Sequence, residues 1–217
     1  LGAKIIRFCP VMAVEWLGDE WKITTPNGEI RAEYVVNAAG YRAGELGKMF
    51  GRDVPCVSLA HQYLITEPIA ELTARDEKLP LLRDPDSSYY LRQEKDGLLL
   101  GPYEKNCRAH WLSSDDPMPD DFSFQLYNDD LERLEWYIED ACARVPILGT
   151  AGITRVVNGP IPYTPDGLPL LGPMPGVPNA FEACVFTFGI VQAGGAGKLL
   201  AEIIIEGEAE SDSWAVD

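Results

Sequence analysis

Residues Gly159–Gly207 read GPIPYTPDGLPLLGPMPGVPNAFEACVFTFGIVQAGGAGKLLAEIIIEG, and this stretch decides the fold. After a run of prolines and glycines that fixes an irregular backbone path, the apolar residues 180–186 predict a strand. Residues 198–206 carry apolar side chains at helical spacing and predict a helix that ends at Gly207. Between them lies a glycine cluster of Gly189, Gly194, Gly195 and Gly197. It predicts a turn that brings bare N–H groups and a helix N-terminus against an electron-rich ligand. A tightly packed turn explains the same glycines equally well.

Composition limits the classes of partner. The 217 residues carry a formal net charge of −16, which argues against binding to nucleic acid or to an anionic membrane. No apolar run reaches the roughly 20 residues that a membrane span needs. Five scattered cysteines without a CxxC pair predict neither a metal site nor a disulfide framework. A reducing compartment fits best: the cytoplasm in a bacterium or the mitochondrial matrix in a eukaryote.

The first part of the chain predicts an antiparallel meander that leads into a buried strand. Pro26-Asn27-Gly28 is a strong hairpin signal, and residues 29–37 predict a strand that stops at Asn37-Ala38-Ala39-Gly40. Small residues at such a strand end let the backbone approach a ligand closely. A plain tight turn is the alternative. Because the chain opens on Leu1 and runs straight into apolar residues, we expect it to belong to a longer chain.

The middle of the chain predicts a second group of strands covered by one helix. Residues 57–66 predict a strand that contains His61, and residues 88–103 predict a hairpin that contains Tyr89 and Tyr90. Adjacent strand residues point to opposite faces, so only one of these tyrosines can line a pocket. The alternative is that all three side chains are ordinary sheet residues. Residues 128–143 predict an amphipathic helix with a structural role, capped by Asp129.

These stretches together resemble the D-amino-acid-oxidase-like flavoproteins, and within them the dimethylglycine and sarcosine dehydrogenase branch. The matching segments occur in the family's order and are VVNAAG, AHQYLITEP, SYYLRQEKDGLLLGPYE, TPDGLPLLGP and FGIVQAGGAGKLLAE. The resemblance implies a mixed α/β fold, with part of an FAD-binding Rossmann-like domain beside a mixed or antiparallel substrate domain. It implies partial FAD-binding segments at residues 1–52 and 159–217 and a substrate-binding domain at residues 53–158.

The resemblance also implies site residues. His61 lies near the flavin in the family, and the pocket tyrosine matches Tyr90, with Tyr89 in reserve; we take His61 and Tyr90 as catalytic. Arg42 stands where the family has a tryptophan, which puts that contact in doubt. The residues matched to FAD contacts are Val11, Ala38, Ala39, Gly40, Arg42, Phe188, Gly189, Ile190, Val191 and Gln192.

The activity implied is oxidation of an N-methyl amine by hydride transfer to FAD. In the family the product is trapped by folate through a further C-terminal domain or is hydrolysed, and an electron-transfer flavoprotein is an expected partner. The GxGxxG unit that holds the pyrophosphate is missing from this sequence, so we expect the chain alone to bind FAD weakly or not at all. Two alternatives stay open: a catalytically silent relative, like the regulatory subunit of pyruvate dehydrogenase phosphatase, and a flavin-free small-molecule binding module.

Overall fold

A computed structural model describes residues 2–112 and 115–212. The strands are β1 (Ala13–Trp16), β2 (Trp21–Thr25), β3 (Gly28–Ala32), β4 (Val35–Asn37), β5 (Val57–Thr66), β6 (Leu82–Asp84), β7 (Tyr89–Glu94), β8 (Gly97–Pro102), β9 (Ala109–His110), β10 (Ile153–Tyr163), β11 (Leu170–Pro173) and β12 (Ala180–Cys184). The α-helices are α1 (Ala43–Met49), α2 (Ala70–Thr73), α3 (Leu131–Arg144) and α4 (Gly189–Glu206), and short 3₁₀ helices cover Gly40–Arg42 and Pro146–Thr150. These elements confirm the mixed α/β fold class.

The chain divides into two compact units. The first contains the residues up to Val57 together with those from Pro162 onward, and the second contains Ser58–Ile161. Among the described residues, no helix is long and apolar enough to cross a membrane.

The first unit contains two three-stranded sheets. Strands β1, β2 and β3 form the antiparallel meander, with Pro26 and Asn27 as the hairpin turn. The second sheet has the order β11-β12-β4, in which β4 runs parallel to β12. The second half of α4 covers this sheet by packing Leu200 and Ile203 against Leu171 and Phe181.

Helix α4 corrects the prediction for the glycine cluster. The helix begins at Gly189 rather than at Lys198, so Gly194, Gly195 and Gly197 are helical and form no turn. Each glycine disfavours a helix interior by about 1 kcal/mol relative to alanine, which is why the spacing analysis placed the start too late. The apolar C-terminal half of α4, anchored in the core, outweighs that cost because packing supplies most helical stability in proteins.

The second unit is one six-stranded sheet covered on one face by α3. The strand order is β10-β5-β8-β7-β6, and β9 pairs with β5. Leu134, Tyr137 and Ala141 of α3 pack onto a core that includes Leu64 and Leu100. The cap of α3 differs from the prediction: Asp130, not Asp129, accepts the Arg133 backbone N–H, at 3.4 Å, and the helix starts at Leu131.

Candidate functional site

In the first unit, two predicted cofactor segments follow neighbouring strands. Strands β4 and β12 are parallel, with Val36 paired to Phe181 and Asn37 paired to Glu182. Their carboxyl ends therefore lie at the same edge of the sheet, which is where open α/β sheets bind their ligands. Residues 38–40 follow β4 there, and residues 188–192 follow β12 at the start of α4.

Asn37 holds the turn that follows β4. Its side chain is 0% exposed; Nδ2 donates to the Ala43 carbonyl oxygen at 3.1 Å, and Oδ1 accepts the Ala39 N–H at 3.3 Å. These bonds fix the path of Ala38, which is exposed, and of Gly40, whose φ of 58° lies in the left-handed region. Sequence reasoning treated Asn37 only as a strand end. Its position at the start of a turn of small residues could have predicted this role, because an asparagine side chain commonly bonds to the backbone two residues further along the chain.

Two further residues matched to FAD contacts lie in this unit. The Arg42 guanidinium forms an ion pair with Glu45 at 2.7 Å on the helix that follows. Val11 precedes the meander, beside Met12, whose N–H donates to the Thr24 carbonyl oxygen at 2.8 Å. The Val11 backbone is therefore held next to an ordered strand.

The N-terminus of α4 carries the predicted cofactor segment of residues 188–192. The Gln192 N–H donates to the Phe188 carbonyl oxygen at 3.2 Å, and Phe188 caps the helix without a side-chain hydrogen bond. The amides of the first turn and the helix dipole thus point outward, which favours negative charge. Ile190 is 98% exposed and Val191 is 86% exposed. A Cβ added at Gly194, Gly195 or Gly197 would meet nothing within 4 Å, so the space beside these three glycines is open.

In the second unit, His61 and Tyr90 share one face of the sheet. Along β5 the even-numbered side chains from Ser58 to Thr66 are buried, whereas His61 is half-buried and points the other way. Tyr89 is 1% exposed and packs into the core beneath α3, so Tyr90, its neighbour on β7, lies on the face of His61. Tyr89 is thus a core residue.

Tyr90 is positioned by a glycine and a second tyrosine. Gly101 on β8 is its cross-strand partner, and a Cβ there would overlap the Tyr90 ring, which lies across the glycine. The ring of Tyr103 lies 5.9 Å away, centroid to centroid. Burial is the main cause that raises the pKa of the Tyr90 hydroxyl, which therefore stays protonated at neutral pH.

His61 lies beneath a thiol that the sequence analysis did not identify. The Cys107 Sγ is 3.3 Å from Nε2 and 3.7 Å from Nδ1 of the imidazole. Because one sulfur is close to both nitrogens, it lies over the ring rather than in line with one N–H. The thiol donates to the Glu104 carbonyl oxygen at 2.8 Å, and burial raises the pKa of Cys107 to about 11, so it remains a thiol.

A buried polar network lies next to this contact. The Glu104 carboxylate accepts the Gln62 backbone N–H at 2.8 Å and pairs with the Arg133 Nη2 at 3.4 Å. Burial raises the pKa of Glu104, and the guanidinium partly opposes that change. Burial and, to a smaller extent, the charge of Arg133 lower the pKa of His61, so its imidazole is neutral at pH 7. A neutral imidazole can accept a proton.

His110 belongs to a structural contact. Its ring stacks on Tyr127 at a centroid distance of 4.3 Å and an interplanar angle of 16°. It pairs with Ser58 on β5, so it lies on the face opposite to His61.

Comparison with known proteins shows to which family the chain belongs. Residues 1–203 match the sequence model of the FAD dependent oxidoreductase (DAO) family. Over the whole chain, the sequence is 45% identical to mitochondrial dimethylglycine dehydrogenase of Mus musculus, and 37% identical to mitochondrial sarcosine dehydrogenase of Homo sapiens. It covers only 25% and 23% of those proteins, so the chain spans about a quarter of their length. The crystal structure of L-proline dehydrogenase from P. horikoshii has the same fold, with a TM-score of 0.75 and 24% identity over 96% of this chain and 52% of that chain. The chain belongs to the DAO family of FAD dependent oxidoreductases.

Proposed function

We propose that this chain is part of a flavoenzyme that oxidises an N-methyl amine such as dimethylglycine or sarcosine. One observation carries the proposal: a neutral, half-buried His61 shares a sheet face with Tyr90, in a chain whose family uses FAD. The reaction that FAD supplies when bound is acceptance of a hydride from the N-methyl carbon.

The protein groups prepare the amine. An amine releases hydride only in its neutral form, yet free N-methylglycines are ammonium ions at neutral pH. We assign to His61 the removal of that proton from the substrate nitrogen, because burial keeps the imidazole unprotonated. The protonated Tyr90 hydroxyl serves as a hydrogen-bond donor that orients the substrate.

The predicted cofactor segments all lie in the first unit. We propose that residues 1–52 and 159–217 form the FAD-binding part and residues 53–158 the substrate-binding part. Val11, residues 38–40 and Arg42 would contact the dinucleotide, and residues 188–192 would contact the flavin ring. The helix dipole at Gly189 would stabilise negative charge on the reduced ring.

The complete protein would have further partners. We propose a small amine substrate, folate bound by a further domain, and an electron-transfer flavoprotein as electron acceptor. A mitochondrial matrix location would follow in a eukaryote, since both dehydrogenase relatives are mitochondrial by name. For the chain alone we propose weak or absent FAD binding, because it has no GxGxxG segment for the pyrophosphate.

The test is anaerobic mixing of the complete protein with dimethylglycine or sarcosine while the visible flavin absorbance is followed. Stoichiometric bleaching is the expected result. A yellow protein that neither amine reduces would favour the silent regulatory alternative. A protein purified without flavin, and unable to take it up, would favour the flavin-free binding module.

A further inference from the structure

Strand β5 changes its partner strand around His61. It pairs with β9 near its start and with β8 near its end, and residues 60–63 lie between the two pairings. The connecting segment from β8 to β9, residues 103–108, lies along this stretch, where the Arg108 carbonyl oxygen accepts the Ala60 N–H at 2.8 Å. An irregular segment, rather than a regular strand, therefore lies beside His61.

Glu104 anchors the connecting segment. This residue is 7% exposed, and its carboxylate accepts the Gln62 backbone N–H at 2.8 Å, a bond that a strand carbonyl makes in a regular ladder. The same carboxylate pairs with Arg133 of α3 at 3.4 Å. The next residue, Lys105, donates its backbone N–H to the Tyr137 hydroxyl of α3 at 3.1 Å. Because β5 and α3 both bind the segment, its position beside His61 is fixed.

Cys107 brings the connecting segment into contact with the imidazole. Its Sγ lies 3.3 Å from Nε2 and 3.7 Å from Nδ1 of His61, while its proton is donated to the Glu104 carbonyl oxygen at 2.8 Å. Burial raises the pKa of the thiol to about 11, so the sulfur stays neutral and is no nucleophile at neutral pH. A neutral, polarisable sulfur packed on the ring restricts the orientation of the imidazole and excludes water from that side.

We infer that Cys107 is a positioning residue for the reaction: held by the connecting segment, its sulfur fixes the His61 imidazole in the orientation that receives the proton of the amine. This inference rests on the proposed function and adds a residue to it. The thiol forms no covalent bond and transfers no proton to the substrate. It acts only through His61, and Glu104 acts only by holding the segment that carries the thiol.

The titration of His61 reports this role. Burial is the main cause that lowers the pKa of the imidazole, and the positive charge of Arg133 on α3 acts in the same direction. The other titratable groups of the connecting segment and of the same sheet face are Cys107, Glu104, Tyr63, Tyr90 and Tyr103. Cys107→Ala removes the sulfur and admits water to one side of the ring. The pKa of His61 should therefore rise toward its ordinary value of 6.5.

The experiment measures flavin reduction by dimethylglycine across a range of pH in the complete protein and its Cys107→Ala variant. A misplaced base should slow the limiting rate by about 10- to 100-fold, with little change in the apparent affinity for the amine. The acid limb of the pH profile should also move to higher pH, so the loss should be larger below pH 6.5 than above it. An NMR titration of the chain measures the pKa of His61 independently of the flavin.

Matched variants separate this role from general damage. Cys107→Ser keeps a hydroxyl that donates to the Glu104 carbonyl oxygen, so it should recover most of the rate. Cys142→Ala removes a half-buried thiol of α3 that packs against the core; it should lower stability and leave the pH profile in place.

Flavin reduction as fast in Cys107→Ala as in the parent protein, or a His61 pKa that does not rise in this variant, would overturn the inference. If no amine reduces the flavin of the parent protein, the proposed function fails instead. The NMR titration then still decides whether Cys107 shields the imidazole.

Discussion

One substitution in α4, Gly195→Ala, should stabilise the chain alone but weaken flavin retention in the complete protein. Gly195 lies inside the helix, and a Cβ added there would meet no atom within 4 Å. Glycine in a helix interior is less stable than alanine by about 0.5–1 kcal/mol, so Gly195→Ala should stabilise the chain by that amount. For a chain of 150–250 residues, 1 kcal/mol shifts Tm by about 2–4 °C. Tm should therefore rise by about 1–4 °C, as measured by circular dichroism.

The complete, FAD-loaded protein should respond in the opposite way. If the bare helix surface exists for the close approach of a flavin, a methyl group at residue 195 should lower flavin retention. The assay is the ratio of flavin to protein after dialysis. Ala201→Gly, an exposed position in the second half of α4, is the control; it should destabilise the chain by about 0.5–1 kcal/mol and leave flavin retention unchanged. A less stable Gly195→Ala chain, or unchanged flavin retention, would refute the reasoning.

Three further predictions concern single positions. Gly101→Ala should destabilise the chain by about 1–3 kcal/mol, because the new Cβ overlaps the Tyr90 ring, and urea unfolding measures the loss. Asn37→Ala should cost about 1–3 kcal/mol by the same assay, since it removes two hydrogen bonds from a fully buried position. The pKa of His61 lies below its ordinary value of 6.5, so the unfolded state binds the proton more tightly. Stability should therefore fall as pH drops below 6.5 toward the folded-state pKa, and His61→Gln should reduce that fall.

The Gly101 and His61 predictions have their own controls. Gly44→Ala places a methyl group in open space on α1 and should not destabilise the chain. Combining Gly101→Ala with Tyr90→Ala should recover part of the loss, whereas strictly additive losses would show that the ring does not lie across the glycine. An NMR titration follows His61 directly, because the chain has only two histidines; a pKa at or above 6.5 would contradict the assignment of a neutral imidazole.

Local patterns predicted most of the individual strands, but the single strand predicted at residues 29–37 is wrong: the structure has β3 and β4 there, in two different sheets. Residues 57–66 form the predicted strand, and alternation along β7 separates Tyr89 in the core from Tyr90 on the other face. Two-residue turns with glycine after them, as at Pro26-Asn27, predicted the hairpins. These features depend on residues only a few positions apart in the sequence, so local patterns are enough to predict them.

Local patterns could not predict contacts between residues far apart in the sequence. Cys107 covers His61 from a position 46 residues away, and Glu104 bonds to Gln62 across 42 residues, with no local pattern to link them. The predicted start of α4 was wrong for the opposite reason. The low helix propensity of the glycines argued against a helix, but the core contacts of Leu200 and Ile203 stabilise it.

The central claim is that His61 prepares the amine for oxidation, and the most direct measurement is the rate of flavin reduction by dimethylglycine in stopped-flow mixing. A general base contributes about 10²–10⁴-fold, so His61→Ala should slow reduction by that factor at equal flavin content. His110→Ala is the control, since that ring stacks on Tyr127 on the opposite face of the sheet, and it should leave the rate unchanged. Flavin reduction as fast in His61→Ala as in the parent protein would contradict the account.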